Sequence, residues 1–261
     1  MHPLLTTALE AAEAAAAVHL RWAGRVSVRE ATEKEARDFV SAADVEAQRA
    51  ALAVIRARHP DHEVLAEEED GQAAVTGSRP VWVIDPIDGT TNFLHGHPMY
   101  VVSIAAVVAG RPEAGVVACA PTGDRWWAAR GGGAFKNGTP MHVSSPPALR
   151  TALVGTGFPF KAIHLLDRYL GQLGRVLTNS AGVRRGGAAA LDLAFLAEGI
   201  FDAFWELDLR AWDVMAGVLL IEEAGGVITR MDGSRIDLED GSILAAANPE
   251  IHAALRKLVE G

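Results

Sequence analysis

The sequence of 261 residues contains a single cysteine, Cys119, so no disulfide within the chain is possible. That fits a reducing compartment. Cys119 stands in an apolar strand-like run, where a free thiol behaves as a small buried hydrophobe. There is no basic excess: 24 Lys and Arg stand against 33 Asp and Glu, for a net charge of −9. This speaks against a nucleic-acid partner but not against a phosphorylated substrate, because bound cations invert the local charge. No segment reaches the ~20 uninterrupted apolar residues of a membrane span. The N-terminal segment lacks a basic start, and Glu10 and Glu13 interrupt its apolar stretch, unlike a secretory signal. A cytoplasmic protein with no membrane partner is expected. Internal repeats, low-complexity tracts and flexible linkers are also missing, so the chain is expected to form one compact unit.

With 49% apolar residues the chain has core enough to need no disulfide or metal staple. An Ala-rich helix is predicted over residues 4–22 and a loop or flap over 26–40. Ser41 and Asp44 form an S-x-x-D capping-box pattern ahead of a helix running to about Arg58. A short strand at Val64–Leu65 leads into the acidic cluster Glu67, Glu68, Glu69 and Asp70, followed by a surface loop over 71–80. Val81–Ile84 reads as a buried strand cut off by Asp85-Pro86. Tyr100–Val108, Gly115–Ala120 and Arg125–Ala129 read as antiparallel strands joined by turns, with Trp126 and Trp127 packing on opposite faces. Beyond about residue 145 the order becomes α/β, with helices at 162–177, 188–197, 214–224 and from Pro249, and strands at 151–155, 201–205 and 242–246. The expected division is therefore an N-terminal α+β lobe, residues 1–145, and a C-terminal α/β lobe, residues 146–261, with a cleft between them.

The chemistry concentrates in Asp85-Pro86-Ile87-Asp88-Gly89-Thr90-Thr91-Asn92. Asp85 stands at the carboxyl end of a buried strand, the edge where ligands of α/β sheets collect. Pro86 and Gly89 turn the chain, and Thr90, Thr91 and Asn92 can start a helix whose N–H groups favour an anion. Two carboxylates, the Ile87 carbonyl and a helix start within eight residues suit a hard cation that bridges to phosphate. The same pattern, taken alone, also describes an Asp-Pro turn followed by an Asp-Gly turn with Thr90 as a cap. Glu67–Asp70, Asp213 ahead of an apolar helix and Asp44 in a first turn each have an equally plain reading as a solvated loop or a cap. If several of these acids meet in one cleft, their repulsion demands cations. His95 and His97 read as surface residues near the site rather than metal ligands. Arg184-Arg185 face either a dimer partner or the substrate mouth.

These residues resemble the inositol monophosphatase family over nearly the whole chain. The family's W-x-I-D-P-(I/L)-D-G-T-x-N-F motif corresponds to Trp82–Phe93, and its W-D-x-x-A-G and E-A-G-G motifs to Trp212–Gly217 and Glu223–Gly226. A G-E-E element appears as Ala66-Glu67-Glu68 and a D-x-V-T-x-x-D element as Asp38–Asp44. The resemblance implies a layered α-β-α-β-α sandwich of the inositol monophosphatase and fructose-1,6-bisphosphatase type. It implies two to three Mg²⁺ ions held by Glu67, Asp85, the Ile87 carbonyl, Asp88 and Asp213. Glu67, Asp44 and Thr90 would be catalytic, the Thr90–Asp44 pair orienting and deprotonating the attacking water. Asp88, Gly89, Thr90, Thr91, Gly187, Ala188, Ala189, Glu206 and Asp213 would bind substrate. Some positions depart from the pattern: Ala66 stands in place of Gly, Ala188 stands where the family often has Ser or Thr, and the flap lysine falls at Glu33, with Lys34 adjacent.

The implied activity is that of a phosphoric monoester hydrolase, inositol-1-monophosphatase, acting by attack of a metal-activated water on a small phosphorylated polyol. Lithium sensitivity and a homodimer are implied with it. Histidinol-phosphate phosphatase, fructose-1,6-bisphosphatase and bisphosphate nucleotidase remain alternatives within the superfamily. A regulatory protein-binding role is the alternative of a different class, since some bacterial relatives are thought to bind transcription or RNA-processing partners. A haloacid-dehalogenase mechanism is excluded, because Asp85 and Asp88 stand three positions apart and its D-x-D nucleophile motif needs two.

Overall fold

The computed structural model describes residues 2–28, 31–35, 38–68, 79–236 and 241–261, without the side chains between 33 and 39. Glu69, Asp70 and most of the expected 71–80 loop lie outside the described residues, as do the side chains of Glu33 and Lys34.

The chain opens with helix α1 (Pro3–Trp22), a hairpin of β1 (Thr32–Glu35) and β2 (Asp38–Val40), and helix α2 (Ala42–Arg58). Strands β3 (Glu63–Ala66) and β4 (Val81–Asp88) precede the short helix α3 (Thr90–Leu94). A meander follows: β5 (Val101–Val108), β6 (Arg111–Cys119), β7 (Asp124–Ala129), β8 (Ala134–Lys136) and β9 (Thr139–Met141). The second half holds β10 (Leu153–Thr156), α4 (Leu166–Asn179), β11 (Gly182–Arg184), α5 (Ala189–Ala197), β12 (Ala203–Glu206), α6 (Ala211–Glu223), β13 (Val227–Arg230), β14 (Ile243–Ala246) and α7 (Pro249–Glu260). No described helix is long and apolar enough to cross a membrane.

Strands β3 to β9 form a seven-stranded sheet in chain order, antiparallel except for the parallel β3–β4 pair. A five-stranded mixed sheet takes the order β11-β10-β12-β14-β13. The strands of the first sheet are apolar on both faces because both are covered. Val101, Ala105, Val107 and Trp126 face one core with α5 and α6. Val102, Ile104 and Ala106 face another with α1 and α2, against which Trp127 packs. The α5–α6 layer also meets Phe204, Ile243 and Ala245 of the second sheet, whose opposite face packs on α4 and α7 through Trp205, Leu244 and Leu255. The result is the layered α-β-α-β-α sandwich expected from the resemblance.

Three local readings need correction. Within the stretch expected as a loop or flap, Thr32–Glu35 and Asp38–Val40 pair as antiparallel strands. Strand β4 does not stop at Asp85-Pro86 but runs on to Asp88: Asp85 pairs with Ser103 and Asp88 with Val101, so β4 carries one extra residue. Pro86, with no N–H to give a ladder, sits in that bulge. Strands β8 and β9 occupy a stretch read only as turns, and β11 and β13 are two further strands that the sequence does not mark. Both are short and only partly buried, so neither carries the run of apolar residues that marks a covered strand.

Candidate active site

The site is built around the end of β4. Every residue of this strand, the second of its sheet, is buried, which brings Asp85 and Asp88 into the interior. Gly89 then turns the chain with φ of 92°, a left-handed value that disfavours any residue with a Cβ, and α3 begins. A Cβ there would also lie 3.0 Å from the Met99 carbonyl oxygen and 3.2 Å from Ala188 Cβ. The turn at Gly89 and the turn before α5 are thus pressed together.

Each acid is held by a different element. Asp88 accepts the N–H groups of Ala189 and Ala190, at 3.1 and 2.7 Å, from the start of α5. Asp213, in the first turn of α6, accepts the N–H of Arg210 at 2.6 Å, and Ser103 of β5 anchors this turn by donating to the Trp212 carbonyl at 3.0 Å. Asp44 caps its own helix: Oδ2 accepts from the N–H and hydroxyl of Ser41, and Oδ1 accepts from Thr90 at 3.0 Å. The Thr90 hydroxyl lies equally close to the Ile87 carbonyl oxygen, also at 3.0 Å. Glu67 follows β3, its N–H donating to the Ile84 carbonyl, and Gln48 of α2 receives the N–H of Glu68.

The electrostatics show that these acids share one space. Burial pushes the Asp85 carboxyl well up, and repulsion from Glu67, Asp88 and Asp213 adds to it, with Lys161 opposing. Burial, and then Asp213, raise Asp88 to about 7. Asp213 is raised by burial against the N–H of Arg210 and the charge of Lys161. Burial raises Asp44, and its hydrogen bonds from Ser41 and Thr90 resist the rise. Among the described residues, no three acidic, histidine or thiol side chains close around one point as a finished metal cage. The donors nevertheless fit a hard divalent cation. All are oxygens, and Asp85 Oδ1 is buried with no hydrogen-bond partner, a cost that a cation would relieve.

The second sheet contributes a further buried acid. Glu206 ends β12, and burial together with Asp192, Asp213 and Asp88 raises its carboxyl well above the ordinary range. Gly187, with φ of 89°, and the buried Ala188 and Ala189 line the adjoining turn, which meets Gly89. Arg185 lies over the rings of Phe158 and Phe160, 5.1 and 5.7 Å from their centroids, and its charge reaches Glu206.

Glu67, Asp85, Asp88, Asp213 and Glu206 therefore act on one another through their charges, with Ile87, Thr90 and Asp44 hydrogen-bonded together beside them. Thr91 is exposed on α3. His95 and His97 are exposed and interact with the local backbone at Thr91 and Met99, consistent with a surface role. Sequence reasoning missed His19, which bonds the Pro86 carbonyl from within α1, and Lys161 and Asp192, whose charges act on the central acids. No motif marks any of the three.

A family model described as the inositol monophosphatase family matches residues 1–261. The "Nus factor SuhB" of Pseudomonas aeruginosa is 43% identical over 248 residues, covering 94% of this chain and 92% of that one. The "Inositol-1-monophosphatase" of Rhizobium meliloti is 41% identical, covering 91% and 88%. The crystal structure of the extragenic suppressor protein suhB from Bartonella henselae superposes with a TM-score of 0.92 at 34% identity, covering 98% of each chain.

Proposed function

We propose that this chain, which belongs to the inositol monophosphatase family, hydrolyses the phosphate monoester of a small polyol, with inositol 1-phosphate as the substrate its site suits best. The observation that carries this reading is the shared field of Asp85, Asp88, Asp213 and Glu67 around the orphaned Oδ1 of Asp85. Glu67, Asp85, the Ile87 carbonyl, Asp88 and Asp213 would hold two to three Mg²⁺ ions. When bound, such ions neutralise the phosphoryl charge, activate water and stabilise the leaving alkoxide.

The chain's own residues supply position and proton handling. The Thr90 hydroxyl donates to Asp44, so its lone pairs are free to take a proton from an attacking water while its own hydrogen moves toward Asp44 Oδ1. The two bonds from Ser41 hold that carboxylate in place. The N–H groups of Gly89, Thr90 and Thr91 would receive phosphoryl oxygens. Glu206 would accept a hydroxyl of the leaving polyol, with Gly187, Ala188 and Ala189 forming the wall beside it. With Ala188 in place of a hydroxyl side chain, that wall reads the substrate by shape. By resemblance the proposal extends to a homodimer.

The test is a panel of inositol 1-phosphate, histidinol phosphate, fructose 1,6-bisphosphate and adenosine 3′,5′-bisphosphate at fixed Mg²⁺. Highest kcat/KM on inositol 1-phosphate is expected, and a clear preference for another member would reassign the substrate. A second reading is favoured by one observation, the name Nus factor on the Pseudomonas aeruginosa relative. It holds that the chain also binds regulatory protein partners. A pull-down whose partners are unchanged by Asp213→Asn would support it, and partner loss on that substitution would tie binding to the site.

A further inference from the structure

Asp192, in the first turn of α5, is 2% exposed and takes no part in the reaction proposed above. Its Oδ1 has no hydrogen-bond partner. Burial and the neighbouring Asp88 hold its carboxyl well above the ordinary range, with only the Gly186 N–H and the Arg185 charge opposing them. An acid in such a place costs stability, and its carboxylate is pressed against the Gly186 backbone, where it fills the space a Cβ would need.

The other polar group of the Gly186 backbone is held as well. Asn92 Nδ2 donates to the Gly186 carbonyl at 3.0 Å and to the Met99 carbonyl at 2.6 Å. Asn92 belongs to α3 and Asp192 to α5, so Gly186 is gripped from two helices at once. No side chain fits there, since a Cβ would run into the Asp192 carboxylate. Gly187 follows, and a Cβ on it would stand 3.1 Å from Asn92 Nδ2. Immediately afterwards come the Ala189 and Ala190 N–H groups that hold Asp88.

We propose that Asp192 and Asn92 are positioning residues that act as one clamp on Gly186, fixing the turn that aims the Ala189 and Ala190 N–H groups at Asp88. Neither touches the Asp88 carboxylate. Both act through the backbone between residues 186 and 190. The clamp sets the orientation in which Asp88 is offered to a cation and the wall offered to the leaving group, so it rests on the functional reading above.

The experiment uses full-length protein carrying Asp192→Ala, Asp192→Asn, Asn92→Ala, Asn92→Asp and the double alanine change. Amide exchange at Ala189 and Ala190 is measured by NMR, Mg²⁺ affinity by calorimetry, and kcat and KM on inositol 1-phosphate. Each alanine variant is expected to speed exchange at both amides by about tenfold or more, although neither substitution touches them. Mg²⁺ affinity and kcat should each fall by about 10- to 100-fold, with KM changed less. Asp192→Asn, which keeps an acceptor for Gly186, should recover most of the loss. Asn92→Asp, which keeps the shape and loses the donors, should not. The double variant should lose little more than the worse single one, because a clamp fails as a unit. Unchanged exchange at Ala189 and Ala190, additive losses, or Asp192→Asn as damaging as Asp192→Ala would each overturn the clamp. If an alanine variant does not fold, Asp192→Asn and Asn92→Asp decide the matter between them. Wild-type protein inactive on every phosphate ester would sink the functional reading instead, and leave the exchange result standing.

Discussion

His19 Nε2 lies 2.7 Å from the carbonyl oxygen of Pro86, so the Ala-rich first helix holds the bulge that carries the central acids. A carbonyl only accepts, so Nε2 carries the proton. Burial lowers the pKa of this imidazole to about 4, and it is neutral at pH 7. The ring also meets Phe93 and Tyr100, with centroids 6.3 and 5.7 Å away.

His19→Ala should destabilise the protein by about 2–4 kcal/mol, through lost packing and an unpaired Pro86 carbonyl. His19→Gln, which can donate to the same oxygen, should cost about half as much. Denaturant unfolding with Mg²⁺ present measures both. Equal losses for the two variants would mean that the hydrogen bond adds nothing.

Stability without metal should depend on pH in two limbs of opposite sign. Asp88 is raised to about 7, so folded protein holds its proton more tightly than unfolded chain. The cost of that buried charge is full above about 7 and fades as pH falls toward the unfolded value near 4. His19 is lowered to about 4, so its contribution is present above the unfolded value near 6.5 and is lost as pH falls toward 4. In chelator, the melting temperature should therefore rise between pH 8 and 6.5 and then level or fall. In His19→Gln it should go on rising below 6.5. Thermal melts from pH 5 to 8 separate the two, and a melting temperature that falls steadily from pH 8 would contradict the Asp88 assignment.

Asp85→Asn and Asp213→Asn should each cut kcat/KM by at least about 10³-fold while circular dichroism stays native. In chelator, Asp85→Asn should melt higher than wild type, because it removes a buried charge repelled by Glu67, Asp88 and Asp213. In saturating Mg²⁺ the order should reverse, since ligand binding stabilises only the protein that binds it. Near-native turnover in Asp213→Asn would reject its place in the site.

Gly157→Ala tests Glu206 without altering it. A Cβ at Gly157 would overlap the Glu206 carboxylate, which must then swing away. KM for inositol 1-phosphate should rise about tenfold, while Mg²⁺ affinity stays within about threefold, as expected for the loss of one charged hydrogen bond to substrate. A fall in Mg²⁺ affinity with unchanged KM would move Glu206 from the substrate to the cations.

The parts of the site visible in the sequence are those whose chemistry is local. Asp85, Asp88, Gly89 and Thr90 are neighbours in the chain, and a strand end, a turn and a helix start follow from their own side chains. The Ser41–Asp44 capping box is equally local, and it forms as written. Helices α1 and α7 and the β5–β7 meander also declare themselves, by composition, Pro249 and turn residues. His19 and Lys161 could not be read because their partners lie far along the chain, and Asp192 because its setting depends on how the turn at Gly186 is packed against Asp88. A histidine among alanines carries no sign that it will meet the Pro86 carbonyl. Pro86 misled for a related reason: a proline ends a strand that needs its N–H, but a bulge releases it from that need.

The bonds from Ala189 and Ala190 to Asp88 also have a consequence in time. The two carboxylates of β4 leave the ribosome well ahead of α5, which holds one of them, and of α6, which adds the third. Any fragment ending before Ala211 lacks Asp213, whatever part of the first sheet it has built. Under the proposed function, competence would therefore wait for α6, and a chain cut short before it would carry bare acids rather than a complete set.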